Sequence, residues 1–247
     1  MENTKKIIKC QTLLVTSWRE YVAGFNKFVL IYAYGLMGFI PLVVLILLSM
    51  FFGWTGLWTK LPLAVQLSFG FIWLLGLIAS FISIIYFVTR AKIACLLLIK
   101  NNYSNALENF KAASKYFWGM LGVSLLMIVV VLAWGLLFII PALIFLIYYA
   151  FAAYILVVED KRSFSAMERS YDLVHGYWWA VCGRILLLVT IVSLVFSVLA
   201  LPLRFLNEGS WPFIIYNLII NIIIIATSPY FIVYAYKIYT SLLEKNK

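Results

Sequence analysis

FWGMLGVSLLMIVVVLAWGLLFIIPALIFLIYYAFAAYILVV, residues 117–158, contains no charged side chain. Written as one helix it would be about 63 Å long, roughly twice the hydrocarbon core of a bilayer. It must therefore fold back on itself. Gly135 and Pro141, with the apolar LLFII between them, mark the turn. Two membrane spans come from this one run. Working outward from it, further apolar runs of span length lie at about 28–52, 63–89, 182–203 and 211–236. The reading is an all-α integral membrane protein with six transmembrane helices.

Composition agrees. The 247 residues are 66% hydrophobic and 11% charged, whereas a soluble domain is about half apolar and a quarter charged. A soluble fold of this length could not hide so much apolar surface. The net charge of +10 is read as loops facing anionic headgroups, not as a nucleic-acid footprint. The run from Phe28 to Phe52 is too long for a signal peptide's apolar region, so it is retained as a span. Cys10, Cys95 and Cys182 fall on or near the expected inner side and are not spaced as a metal site.

Lysine and arginine fix the orientation. Seventeen of the 19 fall on one side of the six spans: Lys5, Lys6, Lys9, Arg19 and Lys27; Arg90, Lys92, Lys100, Lys111 and Lys115; Lys161, Arg162, Arg169 and Arg184; Lys237, Lys245 and Lys247. Only Lys60 and Arg204 fall on the other. Positive charge stays in the cytoplasm, so both termini are expected there.

The chain also repeats weakly, three times, at about 1–101, 102–160 and 161–247. Each repeat is a cytoplasmic amphipathic helix followed by a hairpin of two spans. The apolar stripes are Leu14, Trp18, Tyr21, Phe25 and Phe28; then Leu107, Phe110, Ala113 and Phe117; then Phe164, Met167, Tyr171, Val174 and Trp178. Each runs into an aromatic cluster of the kind that favours the headgroup level. The expectation is a helix lying in the inner interface that bends into a span. All three repeats have one orientation, so any pseudo-symmetry axis runs along the membrane normal.

From Ile140 to Leu188 the chain reads IPALIFLIYYAFAAYILVVEDKRSFSAMERSYDLVHGYWWAVCGRILLL. A Pro-containing turn leads into a span rich in Tyr and Ala, then the acidic pair Glu159-Asp160. A helix with the pattern A-x-E-R-S-x-x-L-x-x-G, Ala166 to Gly176, follows and runs into Tyr177-Trp178-Trp179. Glu168, Arg169, Ser170, Gly176, Trp178 and Trp179 are the candidate interfacial motif. This stretch resembles the membrane-domain family of glycerophosphoryl diester phosphodiesterases and related six-span bacterial proteins of unknown function. The resemblance implies a bacterial cytoplasmic-membrane protein. It implies no activity, because in that family the phosphodiesterase chemistry belongs to a separate soluble domain, for which this chain has no room.

No catalytic constellation is expected. His175 is the single histidine, and metal-dependent hydrolysis needs several His and carboxylate ligands. No Gly-rich phosphate loop, H-E-x-x-H or G-x-S-x-G occurs. The hydrocarbon-core positions hold no Asp, Glu or Lys, which argues against a proton-coupled pump. The polar feature inside a span is Asn217, Asn221 and Ser228, spaced along one face of the sixth, with Pro229 beside them. They are read as interhelical contacts or as a polar lining. No cofactor is implied. The expected role is non-enzymatic, lipid-interacting or membrane-organising, with anionic lipids as partners and any protein partner or oligomeric state open. The alternative is a permease-like subunit working with a separate ATPase.

Overall fold

A computed structural model describes residues 9–55 and 61–245. Of the cations counted above, Lys5, Lys6, Lys60 and Lys247 lie outside the described residues. The described chain is helical throughout: α1 (Cys10–Leu36), α2 (Ile40–Thr55), α3 (Leu63–Lys100), α4 (Ala106–Ala112), α5 (Phe117–Leu137), α6 (Ile139–Tyr148), α7 (Ala152–Val158), α8 (Ser163–Val174), α9 (Trp178–Ala200) and α10 (Trp211–Lys245). Six segments are long and apolar enough to cross a membrane: Cys10–Thr55, Val65–Lys100, Ala106–Leu136, Ile139–Val158, Trp178–Phe205 and Trp211–Lys245. Their apolar side chains face mostly outward, an arrangement that only lipid accommodates. The protein is a multi-pass, all-α integral membrane protein.

The turn in the long apolar run falls at Phe138, whose extended backbone separates α5 from α6 between Gly135 and Pro141. The first amphipathic segment differs from expectation. It does not form a separate helix; α1 runs unbroken from Cys10 to Leu36. The irregularity comes later, as a 3₁₀ turn at Met37–Phe39. Pro41 explains it: having no N–H, it cannot take the Met37 carbonyl, and the Ile40 N–H takes it instead.

The chain divides into two compact units, Asn26–Phe117 and the combination of Met1–Phe25 with Trp118–Lys247. In the first, α2 packs antiparallel on α3. Gly38 makes the closest approach, where an added Cβ would stand 2.8 Å from the Phe87 Cβ and 3.0 Å from the Ser83 carbonyl. The short α4 seats against the basic end of α3. Asn105 caps it by accepting from the Leu107 N–H, and Asn101 donates to the buried Asn109. Arg90 of α3 donates to the Phe110 carbonyl at 2.8 Å, with its guanidinium over the Phe110 ring.

In the second unit, α8 lies against α6, α7 and α10, and α9 pairs with α10. Tyr216 donates to the Leu199 carbonyl and Tyr234 to the Arg184 carbonyl, which fixes the antiparallel register of α9 and α10. The beginning of α1 joins α10 through Tyr21, which donates to the Ala226 carbonyl, and through the Glu20–Lys237 ion pair at 2.7 Å.

The three expected apolar stripes are buried in part. Leu13, Ser17, Tyr21, Gly24 and Phe28 are the buried line of α1, while Trp18 and Phe25 are exposed. Around α4 Phe110, Ala113 and Phe117 are buried as expected, together with Ala106 and Asn109, and Leu107 is exposed; on α8 Met167 and Val174 are buried as expected, together with Ala166, Ser170 and Leu173, and Phe164 is exposed. The exposed members follow from the solvent. Where lipid surrounds a helix, large apolar side chains lose nothing by facing out, and small residues let helices approach.

Candidate functional site

The motif from Ala166 to Trp179 is built around a break in the fourth span. Between α6 and α7, residues Tyr149–Phe151 leave the helix, which frees the Tyr148 carbonyl and the Phe151 N–H from their usual partners. Ser170, fully buried on α8, serves both. Its hydroxyl donates to the Tyr148 carbonyl at 2.7 Å and accepts from the Phe151 N–H at 3.2 Å. Buried backbone groups must be satisfied internally. Trp178 adds a bond from its indole N–H to the Ile144 carbonyl at 3.1 Å.

Glu159, at the end of α7, gathers the surrounding elements. It accepts from the Tyr239 hydroxyl at 2.9 Å and pairs with Lys161 at 3.3 Å and Arg169 at 3.8 Å. Gly176 ends α8 at φ +82°, with the His175 N–H returning to the Tyr171 carbonyl. An added Cβ there would meet open space, so the left-handed backbone alone calls for glycine. Glu168 and Trp179 are exposed. The motif is thus split: Arg169, Ser170, Gly176 and Trp178 hold α8 in place, and Glu168 and Trp179 face outward.

The stripe on the sixth span divides as well. Ser228 donates to the Ile225 carbonyl at 2.7 Å. That carbonyl is the one Pro229, without an N–H, leaves free four residues back. Asn221 donates to Asn217, to its backbone carbonyl at 2.8 Å and its side-chain oxygen at 2.6 Å. The two asparagines bond to one another within α10 and to no other span among the described residues.

One concave feature was not foreseen. A groove of about 530 Å³ lies between the start of α1, α9 and α10, lined by Leu14, Trp18, Val195, Leu199, Ile223 and Phe231 among others. Its walls are almost wholly apolar. The Thr227 hydroxyl on the wall is bonded to the Ile223 and Ile224 carbonyls, and the Tyr230 hydroxyl to the Leu14 carbonyl. In the α9–α10 register it extends for about 20 Å along the helices, from the level of Leu199 to that of Phe231. Such a groove is assembled from three helices distant in sequence, so no local pattern announces it. Among the described residues no group of three or more His, Cys, Asp or Glu could hold a metal ion.

The chain matches no family model, no curated protein and no solved structure.

Proposed function

We propose that the protein is a non-enzymatic membrane protein that binds phospholipid, holding one acyl chain in the groove between α1, α9 and α10. The groove is the observation that carries this reading. Its volume lies within the roughly 300–1,000 Å³ of small-molecule sites. Its walls offer acyl methylenes apolar contact and leave no wall hydroxyl in need of a partner. Its length exceeds the ~15 Å that one leaflet contributes to the hydrocarbon core. Lys9 and Arg19 are exposed at the start of α1, on the side where most of the chain's cations gather, which suits an anionic headgroup.

In the same reading that basic side is cytoplasmic, and three hairpins each follow an amphipathic segment. Contacts within the units support the repeat in an offset form. α4 seats under the first hairpin, α8 under the second, and the start of α1 against the last span. The likeness of Ile140–Leu188 to the phosphodiesterase membrane-domain family is part of this proposal. The permease reading has less to rest on, since the Asn217 and Asn221 side chains bond to one another and do not line the groove, and the Ala166–Gly176 helix is held by its own packing.

The test is native mass spectrometry of the chain released from nanodiscs of mixed anionic and zwitterionic phospholipid. The wild type is expected to retain about one phospholipid, with anionic species enriched. Val195→Trp, which fills the groove, is expected to lower retention several-fold, and Ile128→Trp on the exposed surface of α5 to leave it unchanged. Equal retention by Val195→Trp and wild type would overturn the proposal.

A further inference from the structure

The asparagine pair on α10 has hydrogen-bonding capacity left over in a place without water. Asn221 lies ten residues beyond Trp211, about 15 Å along the helix and so near the bilayer midplane. Each amide offers two donors and an acceptor oxygen. The bonds from Asn221 Nδ2 end on Asn217. The Asn217 Nδ2 group and the Asn221 Oδ1 have no partner among the described residues. Asn221 is exposed and Asn217 half-buried. Hydrocarbon cannot satisfy either group, and leaving such groups unmet at this depth is costly.

The surroundings define the missing partner. Ile214, Leu218 and Ile225 lie one turn away on the same side and are exposed, 49%, 61% and 49% respectively. This is a strip of branched apolar side chains interrupted by a donor and an acceptor one turn apart. A surface carrying both is self-complementary. Two copies inserted with the same orientation are related by a two-fold axis along the membrane normal, which sets their α10 helices parallel. Parallel helices set each asparagine at the level of its counterpart, and because the two amides of one helix lie within hydrogen-bond distance of each other, the free Asn217 donor of one copy reaches diagonally to the free Asn221 oxygen of the other. A single buried polar position of this kind also fixes the register of a helix pair.

We infer that α10 is a self-association surface and that the protein forms a parallel two-fold dimer through Asn217 and Asn221. This stands apart from the lipid groove, whose lining includes neither asparagine.

The experiment is single-molecule photobleaching of the full chain, fluorescently labelled and reconstituted in phospholipid bilayers at low protein density. The wild type is expected to bleach predominantly in two steps. Asn217→Leu/Asn221→Leu is expected to bleach in one step, while keeping wild-type helical content, because the pair makes no bond to another span of its own copy. Asn221→Gln, which keeps the amide, is expected to retain a substantial two-step fraction. One-step bleaching of the wild type, or two-step bleaching undiminished in the double Leu variant, would overturn the inference.

Discussion

Ser170→Ala is expected to destabilise the protein by about 2–5 kcal/mol, because a buried donor or acceptor left unpaired costs roughly 1–3 kcal/mol. The substitution removes one hydroxyl and strands two groups. The Tyr148 carbonyl loses its donor at 2.7 Å and the Phe151 N–H its acceptor at 3.2 Å. Phe151 and Ser170 are both fully buried, so water cannot replace the lost bonds without opening the α6–α7–α8 junction. The measurement is the thermal unfolding midpoint in nanodiscs. Ser165→Ala provides the comparison, since that hydroxyl bonds only to the nearby Arg162 carbonyl at an exposed position; its midpoint should stay at wild type. A Ser170→Ala midpoint equal to that of Ser165→Ala would show that Ser170 does not hold the break.

Gly38→Leu is expected to have the second large effect. Inserting bulk into a well-packed contact costs about 1–3 kcal/mol, occasionally more, and here the obstacle is backbone as well as side chain. Even a Cβ would lie 2.8 Å from the Phe87 Cβ, 3.0 Å from the Ser83 carbonyl oxygen and 3.3 Å from the Ile84 Cα. A flexible side-chain end could swing away; a carbonyl and a Cα in mid-helix cannot. Gly38→Ala should therefore already destabilise, and Leu more. Gly53 and Gly70 give the opposite sign. Nothing lies within 4 Å of a Cβ at either, so Ala there gains helix propensity, at most about 1 kcal/mol. Thermal midpoints of the three Ala variants should separate into one loss and two small gains; a common sign would contradict the packing described for α2 and α3.

The six spans were legible because lipid imposes a coarse, local rule: about 20 apolar residues in a row. The fold-back within residues 117–158 was legible because Gly135 and Pro141 bracket Phe138. The break at Tyr149–Phe151 was not. It contains neither Gly nor Pro, and the hydroxyl that makes it tolerable lies some twenty residues away on α8. The amphipathic stripes were found in the right segments, with Tyr21, Phe28, Phe110, Phe117, Met167 and Val174 inside, but Trp18, Phe25, Leu107 and Phe164 face outward. A soluble pattern puts large apolar residues inside, whereas here Ser17, Gly24, Ala106, Ala166 and Ser170 are inside beside them. Ser228 was grouped with the asparagines by spacing, yet its hydroxyl answers to Pro229 beside it. The motif from Ala166 to Trp179 could be picked out, but not the division of its labour. Only the structure shows Ser170 turned inward to the span break and Glu168 and Trp179 turned outward. The groove was out of reach, since Leu14, Val195 and Ile223 share no local pattern.

The claim that lipid occupies this groove is tested most directly by where a lipid chain touches the protein. A phospholipid bearing a photoactivatable group along its acyl chain, incorporated into nanodiscs with the full chain and irradiated, leaves adducts that peptide mass spectrometry can place. Adducts are expected to concentrate on residues 14–18, 191–199 and 223–231, and to be lost in Val195→Trp. Adducts spread evenly over the exposed faces of all six spans, unchanged in that variant, would contradict it.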